Sequence, residues 1–343
     1  MIRPTMEDLA RTAGVSFSTV DRVLNGRTPV KPETAQRVLE AAETLGFHAT
    51  GLLRQRLRAN APERTLGFLL QQRSTPFYRI LSEALVAATQ ASSAIRGRPI
   101  VEFMDDLTPG AVANRLERLG DSADAVAVVA ADHPKVSCAV DRLHAKGVPV
   151  VALVSDLTAG TRAGYVGLEN RRVGRTAAWF VTGLADCPGE VAILIGSHRY
   201  LCQETCEIGF RSYLRENAPA FELAEPLTTL ENEHYAYENT LNLLRRSPDL
   251  VGLYVAGGGA EGVLRALVES EAANRIVTVS HDLTDHTRDG LIGGIVKAVI
   301  SHPIGLLADR AVDLMARHAC QAVGQDQLSQ VIVPFEIFTP ENV

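Results

Sequence analysis

From Arg64 onward the chain repeats one rhythm, a short apolar run followed by a stretch with helical spacing. "TLGFLLQ" leads into "FYRILSEALVAATQA", "IVEFMDD" into "GAVANRLERLG" and "AVAVVAA" into "VSCAVDRLHAKG"; the rhythm resumes with "VPVVALVS", "EVAILIG", "DLVGLYVAGG" and "NRIVTVSHD". Alternating βα units dictate parallel sheets covered by helices. So many units overfill one sheet, and 343 residues are more than a single core usually holds. Two α/β lobes with a cleft between them follow.

Ligands of such sheets sit outside the carboxyl ends of the strands. Those positions offer Ser74, Phe77 and Tyr78 after the first run, Asp132 after the third and Asp156 after the fourth. In the second half Arg199 and Glu204 follow "EVAILIG", Asp282 follows "IVTVS", and His302 enters from the returning segment. Carboxylates, arginine and histidine bind vicinal hydroxyls in pairs while aromatic rings stack on C–H faces, so the set suits a small sugar, a polyol or a derivative. Each residue also has a plainer reading as a helix cap or a surface group. Nucleotide-dependent enzyme chemistry is not expected: "GGGAEG" lacks the G-x-G-x-x-G order and no phosphate-binding loop motif occurs. His281, Asp282 and His286 suggest a metal or acid–base cluster, but strand-end placement explains Asp282 without chemistry. No cofactor and no metal are expected.

The first sixty residues differ in character. They hold nine Lys or Arg against six acids, whereas 34 of the 40 acidic residues and 25 of the 34 basic ones lie beyond. Despite a net charge of −6, the amino-terminal piece alone is suited to a polyanion. Thr5 precedes an apolar-periodic run, Met6 to Ala13, with Asp8 three residues on, which predicts a capped helix ended by Gly14. Ser16 caps a second helix that reaches about Leu24, where Asn25-Gly26 stops it. Pro32 opens a third, whose Ala35, Val38, Leu39, Ala42 and Leu45 form a stripe ending at Gly46. Two short helices about a glycine turn are the helix-turn-helix signature.

On a wheel of about 100° per residue with Phe17 at zero, Asp21, Asn25, Ser18 and Arg22 fall near 40, 80, 100 and 140°. Thr19, Val23, Val20 and Leu24 occupy roughly the opposite arc. The polar arc presents groups that can hydrogen-bond base edges and phosphates in a major groove; its alternative is a solvated helix face. After Gly46-Phe47 comes the basic "HATGLLRQRLRANAPER", with Leu53 and Leu57 one helical turn apart. Such a helix can wedge leucines into a minor groove while Arg54, Arg56 and Arg58 meet phosphates, or it is a plain linker.

The stretch "TMEDLARTAGVSFSTVDRVLNGRTPVKPETAQRVLEAAETLGF" resembles the headpiece of the LacI/GalR family of bacterial transcriptional regulators. "YVGLENRRVGRTAAWFV" and "VTVSHDLTDHTRDGLIGGIVKAVISHPIGLLADRAVDLM" resemble blocks of the periplasmic sugar-binding-protein fold fused to it in that family. The resemblance implies that Phe17 and Ser18 read bases, that Ser16, Thr19, Arg22, Asn25 and Val30 lie on or near the phosphate backbone, and that a hinge helix folds on the operator. Thr5 joins that DNA-facing set, and Asp282 matches the family's effector pattern. Three departures stand out. Asp21 occupies a position where the family has a small hydroxyl, and is either a specificity residue accepting from a cytosine amino group or a surface acid. In the hinge, Arg56 stands at the leucine wedge position with Leu57 after it, so the wedge either slips by one or is shared with Leu53. "AGGGAEG" stands where the family tends to have an Asn-Asp pair, which leaves one polar contact missing.

Cys138, Cys187, Cys202, Cys206 and Cys320 are odd in number and scattered, unlike a disulfide framework. No apolar run approaches the roughly 18 residues of a membrane span, and no signal-peptide core opens the chain, so the expectation is a cytoplasmic, nucleoid-associated protein. The fold class is thus an α-helical helix-turn-helix headpiece (1–47), a hinge helix or linker (48–62), and an α/β two-lobed periplasmic-binding-protein-like core with parallel sheets (63–343). The first lobe takes about 63–163 and 295–325, the second about 164–294 and 326–343, with crossings near 163, 294 and 325. The expected function is a sequence-specific regulator, a repressor by the commoner family behaviour, that binds double-stranded operator DNA as a homodimer or a larger tetramer. A carbohydrate or polyol effector controls it. The alternative is a sugar sensor whose headpiece contacts protein instead of DNA.

Overall fold

The computed structural model describes residues 4–25, 30–54, 61–320 and 328–343. In the headpiece, Thr5 caps α1 (Met6–Ala13): its hydroxyl accepts from the Asp8 N–H while the Asp8 carboxylate accepts from the Thr5 N–H at 3.0 Å. Gly14, at φ +62°, takes the left-handed turn that an L side chain resists. Ser16 Oγ accepts from the Thr19 N–H at the start of α2 (Phe17–Asn25). α3 (Pro32–Leu45) begins on its proline and stops at Gly46. Leu9, Val20, Val23, Val38, Leu39 and Ala42 close a small core. The Arg37 guanidinium donates to the Ala13 carbonyl at 2.6 Å and the Gly14 carbonyl at 2.9 Å, so α3 satisfies acceptors that the end of α1 leaves free.

Residues 50–54 are helical, and Leu53 is fully buried in the same headpiece cluster as Phe47. This corrects Leu53 as a minor-groove wedge, because its side chain already has an apolar partner surface within its own domain. Arg56 and Leu57 lie outside the described residues.

The strands of the core are β1 (Glu63–Leu70), β2 (Arg96–Phe103), β3 (Ala125–Val128), β4 (Val150–Leu153), β5 (Gly164–Gly167) and β6 (Glu190–Ile195). β7 (Glu222–Leu223), β8 (Leu227–Thr228), β9 (Leu250–Val255), β10 (Val277–His281), β11 (Ala298–Ser301), β12 (Ser329–Ile332) and β13 (Glu336–Phe338) complete them. One sheet runs β12-β5-β4-β3-β1-β2 and is parallel throughout; the other runs β13-β11-β10-β9-β6-β7, with β8 on β6 and only β13 antiparallel. Helices alternate with the strands: α4 (Pro76–Ala91), α5 (Pro109–Gly120), α6 (Pro134–Ala145), α7 (Asn170–Leu184), α8 (Leu201–Asn217), α9 (Glu233–Arg246), α10 (Ala260–Glu269), α11 (Asp285–Ile292) and α12 (Ile304–Cys320).

Pairing places the lobe crossings after Gly167, after Ser301 and between Ile332 and Glu336. Each lies a few residues later than expected at 163, 294 and 325, since β5, β11 and β12 finish in sheets that the sequence pattern had already left. The first lobe packs α4 on α12 through Leu81, Leu85, Ala311 and Met315. In the second, α7 and α8 approach closely, because Gly174 faces the Cys206 carbonyl and Gly209 the Arg171 carbonyl with no space for a Cβ. That contact sets the start of α8, which enters the cleft.

Candidate functional site

Two surfaces carry chemistry. The first is the polar face of α2. Val20 and Val23 are buried, while Phe17 is 52% exposed and Ser18, Arg22 and Asn25 are exposed beside it. Arg22 Nε donates to the Ser18 carbonyl at 3.2 Å, and Asn25 Nδ2 donates to Asp21 Oδ1 at 2.6 Å. Ser16 Oγ lies 2.9 Å from the hydroxyls of both Ser18 and Thr19. Of the other residues expected on DNA, Thr5 caps α1 and Val30 is half-buried.

The second is the cavity between the lobes, with about 90 Å³ open to the centres of water molecules. At ~10–15 Å³ each, that is space for several waters, the scale of one monosaccharide. Every wall residue comes from the carboxyl end of a strand or the helix start beyond it. Asp282, at φ +58°, ends β10; its Oδ1 accepts from His302 Nδ1 at 2.8 Å and from the His302 N–H at 3.0 Å. Burial pushes the Asp282 carboxyl up, but the His302 ring, the hydrogen bonds from His302 and the nearby His281 outweigh it and leave the group below the ordinary carboxylate range. His302 lines this cavity; its Nε2 is buried without a hydrogen-bond partner among the described residues, and the Phe77 ring lies 5.4 Å from its own.

Opposite in sequence, Glu231 enters from the loop after β8. Its Oε1 accepts from Gln203 Nε2 at 2.7 Å and its Oε2 from the Gly258 N–H at 3.1 Å. Gln203 Oε1 in turn accepts from the Gly196 N–H at 2.7 Å. A Cβ at Gly196 or Gly258 would collide with the Glu231 carboxylate, so the glycine run after β9 is the room that this carboxylate occupies. Burial raises the Glu231 carboxyl. Cys202 lines the same space with its thiol pushed up to about 12 by burial, which makes it a protonated packing surface and not a nucleophile.

A family model described as "Periplasmic binding protein domain" matches residues 67–324, and one described as "Bacterial regulatory proteins, lacI family" matches residues 5–50. The chain belongs to the periplasmic binding protein domain family and carries a lacI-family headpiece. Among similar proteins, the "HTH-type transcriptional regulator MalR" of Streptomyces coelicolor is 28% identical over 207 residues, 57% of this chain and 55% of that protein. The "Catabolite control protein A" of Priestia megaterium is 38% identical over 81 residues, 24% of each chain. The "Sucrose operon repressor" of Escherichia coli is 36% identical over 90 residues, 26% of each. The matches span between 24% and 63% of the first curated relatives' own lengths. Of solved structures, a solute binding protein of an ABC transporter from Agrobacterium vitis with bound alpha-D-tagatopyranose shares the fold at a TM-score of 0.74 and 17% identity, covering 82% of this chain and 96% of that one.

Within this periplasmic binding protein domain the cavity brings together Phe77, Tyr78, Asp282 and His302 from the expected set. The other five are corrected. The Asp132 carboxylate is occupied by the Thr158 N–H at 2.9 Å and hydroxyl at 2.8 Å, and its backbone N–H donates to the Arg199 carbonyl at 2.7 Å as a tie between lobes. Asp156 pairs with Arg162 at 2.7 and 3.0 Å. The Arg199 and Ser74 side chains are exposed, and Glu204 sits in the first turn of α8 outside the lining. Ser155, Asn170, Tyr200, Gln203, Glu231 and Thr284 line the cavity without having been singled out. Among the described residues no helix is long and apolar enough to cross a membrane, and no cluster of three His, Cys, Asp or Glu is placed to hold a metal ion.

His281 supplies a pH test of the site. The Tyr254 hydroxyl lies 3.1 Å from its Nε2, and burial pushes the ring down from 6.5 to about 4. Between those values the unfolded chain takes up a proton that the folded one refuses, so stability falls as pH falls through the window. Thermal melts are expected to show Tm dropping from pH 6.5 to 4, and His281→Gln to flatten that slope. A wild-type Tm constant across the window would contradict the assignment.

Proposed function

We propose that this protein is a ligand-controlled transcriptional regulator whose α2 reads operator DNA and whose interlobe cavity takes a small carbohydrate or polyol. The carrying observation is that one chain joins an exposed, polar recognition face to a cleft holding a buried, unpaired imidazole nitrogen. Phe17 and Ser18 are assigned to base edges, and Ser16, Thr19, Arg22, Asn25 and Val30 to or near phosphates. Two copies present two headpieces to a pseudo-palindromic operator, because a single headpiece buries too little surface for tight binding. Ligand closes the cleft, moves the lobes and changes the spacing of the headpieces. The curated relatives' names and the sugar in a fold neighbour support this reading.

The test uses a duplex selected by the full-length protein from a random-sequence pool. Arg22→Ala is expected to weaken binding to it about tenfold and to reduce the salt dependence by about one phosphate contact. Asp21→Ser is expected to change which duplex is selected. Coupling is reciprocal: a sugar that alters duplex affinity must see its own affinity altered by the same factor when the duplex is bound. Equal sugar affinity by calorimetry with and without the duplex would refute the allosteric part, and failure to select any duplex would refute the DNA part.

A further inference from the structure

Three carboxylates line the cavity, Glu231, Glu261 at the start of α10 and Asp282, and the two with hydrogen-bond partners inside the cavity are partnered differently. Asp282 has His302 at 2.8 Å, a ring able to carry a positive charge. Among the described residues Glu231 has only neutral donors, the Gln203 amide and the Gly258 N–H. Among the described residues, the lining contains no lysine and no arginine. A carboxylate withdrawn from water needs a cation, or its charge is disfavoured, and that imbalance raises the Glu231 carboxyl.

The seats for a negative ligand are also filled. Gly258 and Gly259 precede α10, where backbone N–H groups ordinarily receive an anion, and the Glu231 carboxylate already accepts there. The N–H groups of Gly196 and Ser197 after β6 are taken by Gln203 Oε1. A phosphate entering the cleft would meet three carboxylates, those of Glu231, Glu261 and Asp282, and no lysine or arginine. Around Glu231 stand the rings of Tyr78 and Tyr200, close enough that, after burial itself, its charge helps to raise both phenols. Phenol groups beside a carboxylate that has no cationic partner form a surface that favours a cation. A second pole is His302, which lines the same cavity: its Nε2 is buried and unpaired, and in the tautomer whose Nδ1–H donates to Asp282 it is the acceptor that the ring has left to offer a hydroxyl.

We infer that the cleft selects a hydroxylated ligand that carries a positive charge, an amino sugar or aminated polyol, with its ammonium at Glu231 and a hydroxyl at His302 Nε2. This rests on the reading of the cleft as a carbohydrate site. The ligand supplies the countercharge that the protein withholds, and phosphorylated and acidic sugars are rejected by the same carboxylate.

The experiment is calorimetry of the full-length protein with glucosamine, galactosamine and mannosamine, their hydroxyl parents and their phosphate esters at neutral pH. At least one amine is expected to bind roughly tenfold or more tighter than its hydroxyl parent, the margin of a charge-assisted over a neutral hydrogen bond, and its phosphate ester more weakly still. Glu231→Gln should bring the amine-to-hydroxyl ratio close to one, and Glu231→Asp, which keeps the charge, should retain a preference for the amine; melts of the unliganded variants establish that each is folded. If Glu231→Gln does not fold, the wild-type ratio and Glu231→Asp decide. A hydroxyl parent or phosphate ester that binds as tightly as the amine overturns the inference and leaves the carbohydrate reading intact, as does an amine preference that survives Glu231→Gln. Binding of none of the three classes overturns both.

Discussion

Asp282→Ala is expected to cost the cleft at least a hundredfold in ligand affinity, roughly the loss of a buried charged hydrogen-bonding group, and the fold about 3 kcal/mol. The carboxylate does two jobs. It accepts from both His302 Nδ1 and the His302 N–H, so its removal strands two buried donors at the crossing between lobes. It also fixes the His302 ring, which lines the cavity. Backbone conformation separates these effects: at φ +58° alanine is strained, whereas asparagine tolerates the left-handed region and still offers an acceptor oxygen. Asp282→Asn should therefore recover most of the stability but only part of the ligand affinity, since the charge is gone. Duplex binding by the headpiece should persist in both variants while its response to ligand disappears. Alanine and asparagine variants with equal melts, or ligand affinity unchanged in either, would remove Asp282 from the proposed site.

Gly174→Val tests the frame of the site instead of its chemistry. A Cβ at this position of α7 would fall inside contact distance of the carbonyl of Cys206 on α8, a backbone atom that no rotamer change can move. Overpacking of this kind costs typically 1–3 kcal/mol and more where backbone must shift. Displacement of α8 carries Cys202 and Gln203 with it, and Gln203 holds both Glu231 and the Gly196 N–H. We expect a melt lowered by several degrees and ligand binding lost even at temperatures where the chain is folded. Gly183, which has open space around its added Cβ, is the control on the same helix: Gly183→Ala should leave both measurements unchanged or slightly raised. A Gly174→Val protein that melts and binds like wild type would show that the two helices can separate without moving the cleft.

Much of the fold was legible because its signals are local. Thr5 with Asp8, Gly14, Pro32 and Gly46 are read from neighbours within a few residues, and each stands at the helix end where it was expected. The βα rhythm likewise reports burial of single runs. Contacts between distant segments were not legible. Asp132 and Asp156 occupy strand ends as Asp282 does, yet their carboxylates are taken by Thr158 and Arg162, partners that a position in the chain does not reveal. Leu53 carries the apolar side chain that either a wedge or a core needs, and the nearby Phe47 cluster decides in favour of the core. Glu231 follows a strand of two residues with no apolar run to mark it, so the missing polar contact beside "AGGGAEG" could not be traced to a loop 27 residues earlier. Its signal was the glycines themselves, which keep space for a side chain from elsewhere.

The three crossings bear on how the molecule is made. The first lobe needs α12 and β12, whose residues end at Ile332, and so its sheet and helical cover cannot be completed on the ribosome until synthesis has passed Ile332, well after every strand of the second lobe's parallel run has been made. The headpiece closes its core within the first 53 residues. Vectorial synthesis therefore produces the small unit early, while the edge of β5 waits for β12 and the apolar faces that α12 covers stay exposed. The period of greatest exposure to aggregation or chaperone capture falls between the emergence of β1 and that of β12.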